Sequence, residues 1–176
     1  SMKTKFNQSK LKLAIVSAML VGTAAITAPT YATDLDANLE VSASINVACT
    51  IETTDLAFGD YDPIIVNAVD PLQEMASVTS TCTVGAAGTI ILDNGENFDE
   101  GTGRRMVHAT DTTSFLEYEV SNASYGGANW GIGAEGVSYT GTGSAVPEDI
   151  FGQVDAGQNT AVDGSYTDLI VATINY

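Results

Sequence analysis

The sequence predicts an all-β sandwich, and three observations predict it. Short runs rich in Val, Ile, Thr and aromatic residues recur between Gly, Asp, Asn and Pro. No stretch after residue 32 carries the spacing of apolar residues that marks an amphipathic helix. Residues 35 to 51 alternate without a break, every odd position being apolar and the even ones being Asp, Asn, Glu, Ser, Thr or a single Ala.

The first element, residues 1–32, reads as a secretory signal peptide. Lys3, Lys5, Lys10 and Lys12 lead into the uncharged stretch Leu13 to Ala28, and Pro29-Thr30-Tyr31-Ala32 places small residues three and one before a cut after Ala32. Diluted by Ser17, Gly22, Thr23 and Thr27, that stretch falls short of the roughly 20 apolar residues of a membrane span.

The second element is the alternating segment, with Leu35, Ala37, Leu39, Val41 and Ala43 on one side of its first half. Seventeen residues at about 3.3 Å each would reach roughly 56 Å. A globule of this size, with a radius of gyration near 14 to 15 Å, is only about 37 Å across. No Gly, Pro, Asn-Gly or Asp-Gly between 35 and 51 offers a hairpin turn. Residues 33–43 are therefore expected to leave the domain as a donor strand for another chain, with residues 44–176 forming the β-sandwich domain.

Within that domain, strands are expected near 43–52, 56–61, 75–84, 88–93, 104–108, 115–121, 150–155 and 165–176. Seven glycines between 126 and 143 suit turns and broken edge strands. The last run places Tyr166, Ile170, Ala172, Ile174 and Tyr176 on one face of a strand that ends with the chain. An edge without a closing partner invites aggregation unless something fills it. An alternating arm from another copy is a suitable filler, and donor and acceptor surfaces at different places on one chain generate a head-to-tail fibre.

Charge and composition exclude several functions. The mature part holds two arginines, no lysine and all 22 acidic residues, a net charge of −20, which disfavours nucleic acid as a partner. Without lysine there is no Schiff-base chemistry and no phosphate-loop lysine. Any Ser-His-Asp or Cys-His site would rest on His108 alone, which reads as a strand-end residue. Neither an enzyme, a cofactor nor a metal site is expected.

The ordered set Cys49-Thr50-Ile51, Phe58-Gly59-Asp60-Tyr61-Asp62-Pro63, Cys82-Thr83, Leu92-Asp93-Asn94-Gly95, Arg104-Arg105-Met106, Leu116-Glu117-Tyr118, Trp130-Gly131, Phe151-Gly152 and Gly164-Ser165-Tyr166-Thr167-Asp168 resembles the spore coat protein U domain. That domain is the pilin of archaic, Csu-type chaperone-usher pili. The resemblance covers nearly all of residues 40–176, departing where the family's Trp-Gly-Asp is Trp130-Gly131-Ile132. It implies an incomplete immunoglobulin-like β-sandwich lacking its last strand. It further implies a periplasmic chaperone gripping the C-terminal strand through Tyr176, an outer-membrane usher, and identical or related pilin subunits as partners in a surface fibre for adhesion and biofilm formation. A tip adhesin binding glycan or an abiotic surface is the alternative; such a subunit would be expected to begin with a binding domain, whereas this chain begins with an arm.

Cys49 and Cys82 in an exported chain read as one disulfide; one histidine and no Cys-x-x-Cys spacing disfavour a thiol nucleophile or a metal. The acidic stretch 93–101 lacks the Asp-x-Asp-x-Asp-Gly and distal Glu of a calcium loop and is expected to be solvated surface. Tyr125 and Trp130 could stack on a sugar, but Trp130 is expected to pack in or over the sandwich. Arg104 and Arg105 are expected to make ordinary surface pairs with acids.

Overall fold

The computed structural model describes residues 33–131 and 135–176; the expected signal peptide, 1–32, lies outside them. The chain divides into two units, Ser1–Ser42 and Ala43–Tyr176, and all regular structure among the described residues lies in the second. Its strands are β1 (Cys49–Thr53), β2 (Leu72–Cys82), β3 (Ala87–Leu92), β4 (Arg105–His108), β5 (Phe115–Ser121), β6 (Val137–Thr140), β7 (Ala145–Val154), β8 (Tyr166–Thr167) and β9 (Ala172–Asn175). The described residues contain no α-helix.

Two antiparallel sheets face each other. One has six strands in the order β1-β2-β7-β5-β4-β8, the other three in the order β6-β3-β9. Alternation sets the inner faces: Ala76, Val78, Ser80 and Cys82 point inward from β2, Leu116, Tyr118 and Val120 from β5, and Ile150 and Val154 from β7. Ile90 and Leu92 on β3 close the core from the other side. Cys49 and Cys82, opposite each other in the β1–β2 register, form a disulfide.

Trp130 ties the layers together and is fully buried. Its main-chain N–H donates to Val120 O on β5 at 2.9 Å, and its indole Nε1–H donates to Ile90 O on β3 at 3.0 Å. A large ring with one polar edge fits a core only where that edge finds an acceptor.

Arg104 corrects the surface-pairing expectation. It is 4 % exposed, and its guanidinium donates to main-chain oxygens: Nη2 to Asp93 O at 2.6 Å and Trp130 O at 2.8 Å, Nε to Asp93 O at 3.1 Å. Nη1 reaches Asn129 Oδ1 at 2.6 Å. Burial lowers its pKa from the usual arginine value, though a guanidinium stays charged in a protein. Arg105 does pair at the surface, 3.7 Å from Asp99 and stacked over Phe115 at 4.1 Å.

Two strand expectations also change. The run 165–176 is not one strand: β8 pairs with β4 and β9 with β3, so the chain crosses from one sheet to the other over 168–171. Residues 56–61 form no strand. The glycine-rich stretch does yield an edge strand, β6, paired with β3.

Candidate binding groove

The crossing of the last segment leaves a seam between the sheets. One wall is the segment from Thr53 to Pro63, which leaves β1 and runs without strand pairing. The other is the segment from Ala161 to Ala172. Between them lie two contiguous cavities of about 340 Å³ and 660 Å³ that share Leu56, Phe58 and Met106. The floor is the sandwich core itself: Leu92, Leu116, Tyr118, Val120, Ile150 and Val154. The cleft therefore lies directly over core side chains, although these remain largely buried.

Each wall is fixed by local contacts. Leu56 sits over Gly152, where any Cβ would strike its side chain, and the Phe58 ring meets Tyr118 edge-on at 6.2 Å. On the opposite wall, Asp93 N–H donates to Val171 O at 3.0 Å and Val171 N–H returns to Asp93 Oδ1 at 2.9 Å. Glu96 N–H donates to Leu169 O at 3.2 Å. Asp168 Oδ1 accepts from Asn97 N–H and Nδ2–H at 3.2 and 2.9 Å, and its Oδ2 accepts from Tyr118 OH at 2.7 Å.

The acidic stretch that raised the calcium alternative is therefore partly a brace for the wall, its Asp93 spent on main-chain amides. Leu169 and Val171 are held to 93–96 through their main-chain groups, and Asp168 and Ile170 between and beside them line the groove. Burial raises the Tyr118 pKa well above the usual phenol value, and the hydrogen bond and charge of Asp168 raise it further.

At the mouth of the wider cavity, Tyr166 OH meets Ser114 Oγ at 2.8 Å and donates to Val162 O at 2.7 Å. His108 is buried behind this wall. Its Nδ1 accepts from Asp111 N–H at 2.9 Å, and its Nε2 lies 3.1 Å from Asp163 O. That assigns the neutral tautomer with the proton on Nε2.

Of the residues expected on the C-terminal face, Tyr166, Ile170 and Ala172 line the groove. Ile174 is partly buried against the core from β9, and Tyr176 lies beyond β9, 64 % exposed. Leu56, Phe58, Met106 and Leu116 line the groove as well, and sequence reading had assigned them no such role. The alternation of 35–51 breaks at Thr53 and Asp55, and Leu56 and Phe58 stand two apart in a new phase, a spacing that puts both on one face of an extended segment.

Residues 33–48 form no strand. Leu35 is 94 % exposed, Leu39 86 %, Val41 85 % and Ile45 87 %, and Val47 is exposed too. Pairing starts only at Ala48, whose N–H donates to Thr83 Oγ1 at 3.1 Å and whose carbonyl accepts from Thr83 N–H at 2.9 Å. The exposed apolar alternation thus runs past residue 43 to Val47.

The spore coat protein U domain family model matches residues 35–173. Protein U of Myxococcus xanthus is 31% identical over 181 residues, taking in 94% of this chain and 98% of that protein. A crystal structure of the CsuC–CsuE chaperone–tip adhesion subunit pre-assembly complex, from archaic chaperone-usher Csu pili of Acinetobacter baumannii, contains a chain of similar fold. The TM-score is 0.53 at 21% identity, over 75% of this chain and 40% of that one. At that identity the likeness is one of fold, the all-β sandwich.

Proposed function

This chain belongs to the spore coat protein U domain family, and from that premise we propose that it is a structural subunit of a chaperone-usher surface fibre. It acts by giving its N-terminal arm to the groove of a neighbouring copy and receiving another arm in its own. Export through residues 1–32 delivers it to the periplasm, a chaperone holds the open seam, and an outer-membrane usher exchanges the chaperone for the next subunit's arm. The fibre serves adhesion and biofilm formation. The chemistry is burial and main-chain hydrogen bonding, with no reaction catalysed.

The observation that carries this reading is the pairing of an open core with an unpaired alternating arm. The groove runs over the core side chains Leu116, Tyr118, Val120 and Ile150, while Leu35, Leu39 and Val41 stand in solvent. Each large apolar side chain moved from water into the groove contributes roughly 1.5 to 3 kcal/mol before ordering costs. A strand laid along Asp168 and Ile170 also gains main-chain hydrogen bonds.

Polarity favours assembly between chains. At the Cys49 end the seam is closed, β1 lying against β9 and Cys49 Sγ 3.5 Å from Tyr139 OH. The groove opens beyond Thr53 and Ala172 and widens toward Pro63 and Tyr166. The arm is rooted at Ala48, beside the closed end, so a copy filling its own groove from the mouth would first spend most of its arm running the length of the domain. A neighbour's arm has no such detour.

Leu39→Asp places a carboxylate where the reading puts a groove-filling side chain. Co-expressed with a chaperone and usher, this variant is expected to fold and reach the periplasm but to give no detergent-resistant ladder of polymers. A normal ladder would defeat the donor assignment.

A further inference from the structure

The connection between β1 and β2 carries an apolar tip with no partner among the described residues of its own domain. Ile64, Ile65, Val66 and Val69 are 71 %, 76 %, 61 % and 78 % exposed. The tip is built rather than loose. Asp62 Oδ1 accepts from Ile64 and Ile65 N–H, both at 3.0 Å. Asn67, 4 % exposed, accepts at Oδ1 from Asp62 N–H at 2.9 Å and donates from Nδ2 to Asp70 O at 3.1 Å. Its main chain bonds Asp62 O at 2.7 Å and receives Gly157 N–H at 2.7 Å. Holding four large aliphatic side chains in water on a fixed frame is what a contact surface requires.

The position of the tip indicates what covers it. Tyr61 and Pro63, from which it springs, line the wide mouth of the groove. The groove walls span 11 and 12 residues, from Thr53 to Pro63 and from Ala161 to Ala172, and since they are not strands throughout they reach at most roughly 36 to 40 Å. The arm's apolar alternation from Leu35 to Val47 covers 13 residues, roughly 43 Å. An extended arm therefore overruns the groove, and because the donor's own domain must stay outside, the overrun is at the root, where Ile45 and Val47 are exposed.

Charge selects the same pair. In a chain with 22 acidic residues, 41–51 and 63–69 carry none, while Asp34, Asp36 and Glu40 lie farther out on the arm and Asp62 and Asp70 flank the tip. These two neutral apolar surfaces can meet without setting carboxylates against each other, which would cost binding.

We propose, on the basis of the donor-arm reading above, that the tip 63–69 is a second contact between consecutive copies: Ile64, Ile65, Val66 and Val69 pack on Ile45 and Val47 of the copy whose arm enters the groove beside them. The contact fixes the angle of each joint in the fibre and slows withdrawal of the arm.

The test is photo-crosslinking in fibres assembled from the full-length chain with its chaperone and usher, with p-benzoylphenylalanine at position 65 or, as a control, at position 56 in the groove. Position 56 is expected to cross-link to residues 35–43 of a neighbour and position 65 to residues 43–48. Arm cross-links from position 56, with position 65 linking elsewhere or nowhere, would overturn the tip contact and leave the groove reading standing. No arm cross-link from position 56 would remove both. As a second measure, Ile45→Ser and Ile65→Ser should each shorten the half-time of fibre dissociation in hot detergent about tenfold, and together no more than either alone. No shortening, or a multiplied effect of the pair, would overturn the proposal.

Discussion

Replacing Arg104 by methionine removes a buried charge and leaves its main-chain acceptors behind. Met keeps the length and apolar stem of the side chain, so the change isolates the guanidinium. Three partners lose their donor: Asp93 O, Trp130 O and Asn129 Oδ1. Asn129 is exposed and finds water. The two carbonyls lie under the Trp130 segment and against the end of β3, where an unmade hydrogen bond costs roughly 1 to 3 kcal/mol each. Relief of the desolvation cost of the cation offsets part of the upper range, and the expected loss is about 3 kcal/mol. With a urea slope of roughly 1.5 kcal/mol per M, the unfolding midpoint of the purified chain falls by about 2 M. Arg104→Lys should recover little of this, because an ammonium cannot span the carbonyls of Asp93 and Trp130 as the planar fork does. A loss below about 1 kcal/mol for the methionine variant would show that water satisfies these carbonyls and that Arg104 braces nothing.

Two further outcomes follow from the groove floor and from the β3–β9 pair. Tyr118 has a folded-state pKa raised above its unfolded value, so its contribution is fully present below pH 10 and is lost as pH climbs above it, when only the unfolded chain gives up the proton. Stability is expected to decline at high pH by up to about 1.4 kcal/mol per pH unit from this group, and Tyr118→Phe should flatten that decline in unfolding curves taken from pH 9 to 12; an unchanged slope would contradict it. Gly88 on β3 lies so close to Asn175 O that any Cβ collides with the carbonyl, and Gly88→Ala should push β9 away, seen as faster amide exchange at Ile174 with the centre of β2 unaffected. Uniform protection across β3 and β9 in that variant would refute the close packing.

The sandwich was legible because it rests on burial with a period of two. Val78, Val120 and Val154 repeat the same in-and-out rule along β2, β5 and β7, while residues 35–51 carried it over a length too great for one strand of the domain and without a turn residue, the ground for expecting the arm to leave the domain. Trp130 was legible as a core anchor for its size. Arg104 was not: its main partners are main-chain oxygens, which every residue carries, so no pattern of side chains announces them. The run 165–176 keeps its alternation while changing sheets, because the break comes from Asp168 and Val171 binding the 93–97 segment rather than from any Gly or Pro. Residues 56–61 have the composition of a strand but no strand beside them in the single chain. The groove is made by two segments about a hundred residues apart, each of which reads locally as a strand, and only their separation in space reveals it.

The central claim, that the seam is a vacancy for an arm, is tested most directly by thermal unfolding of residues 48–176, disulfide intact, with and without a synthetic peptide of residues 33–47. The account predicts a large rise in midpoint, on the order of 10 °C or more at saturating peptide, abolished when the peptide carries Leu39→Asp. A domain that is already stable and does not respond to the peptide would mean the sandwich is complete without the arm, and the account would be wrong.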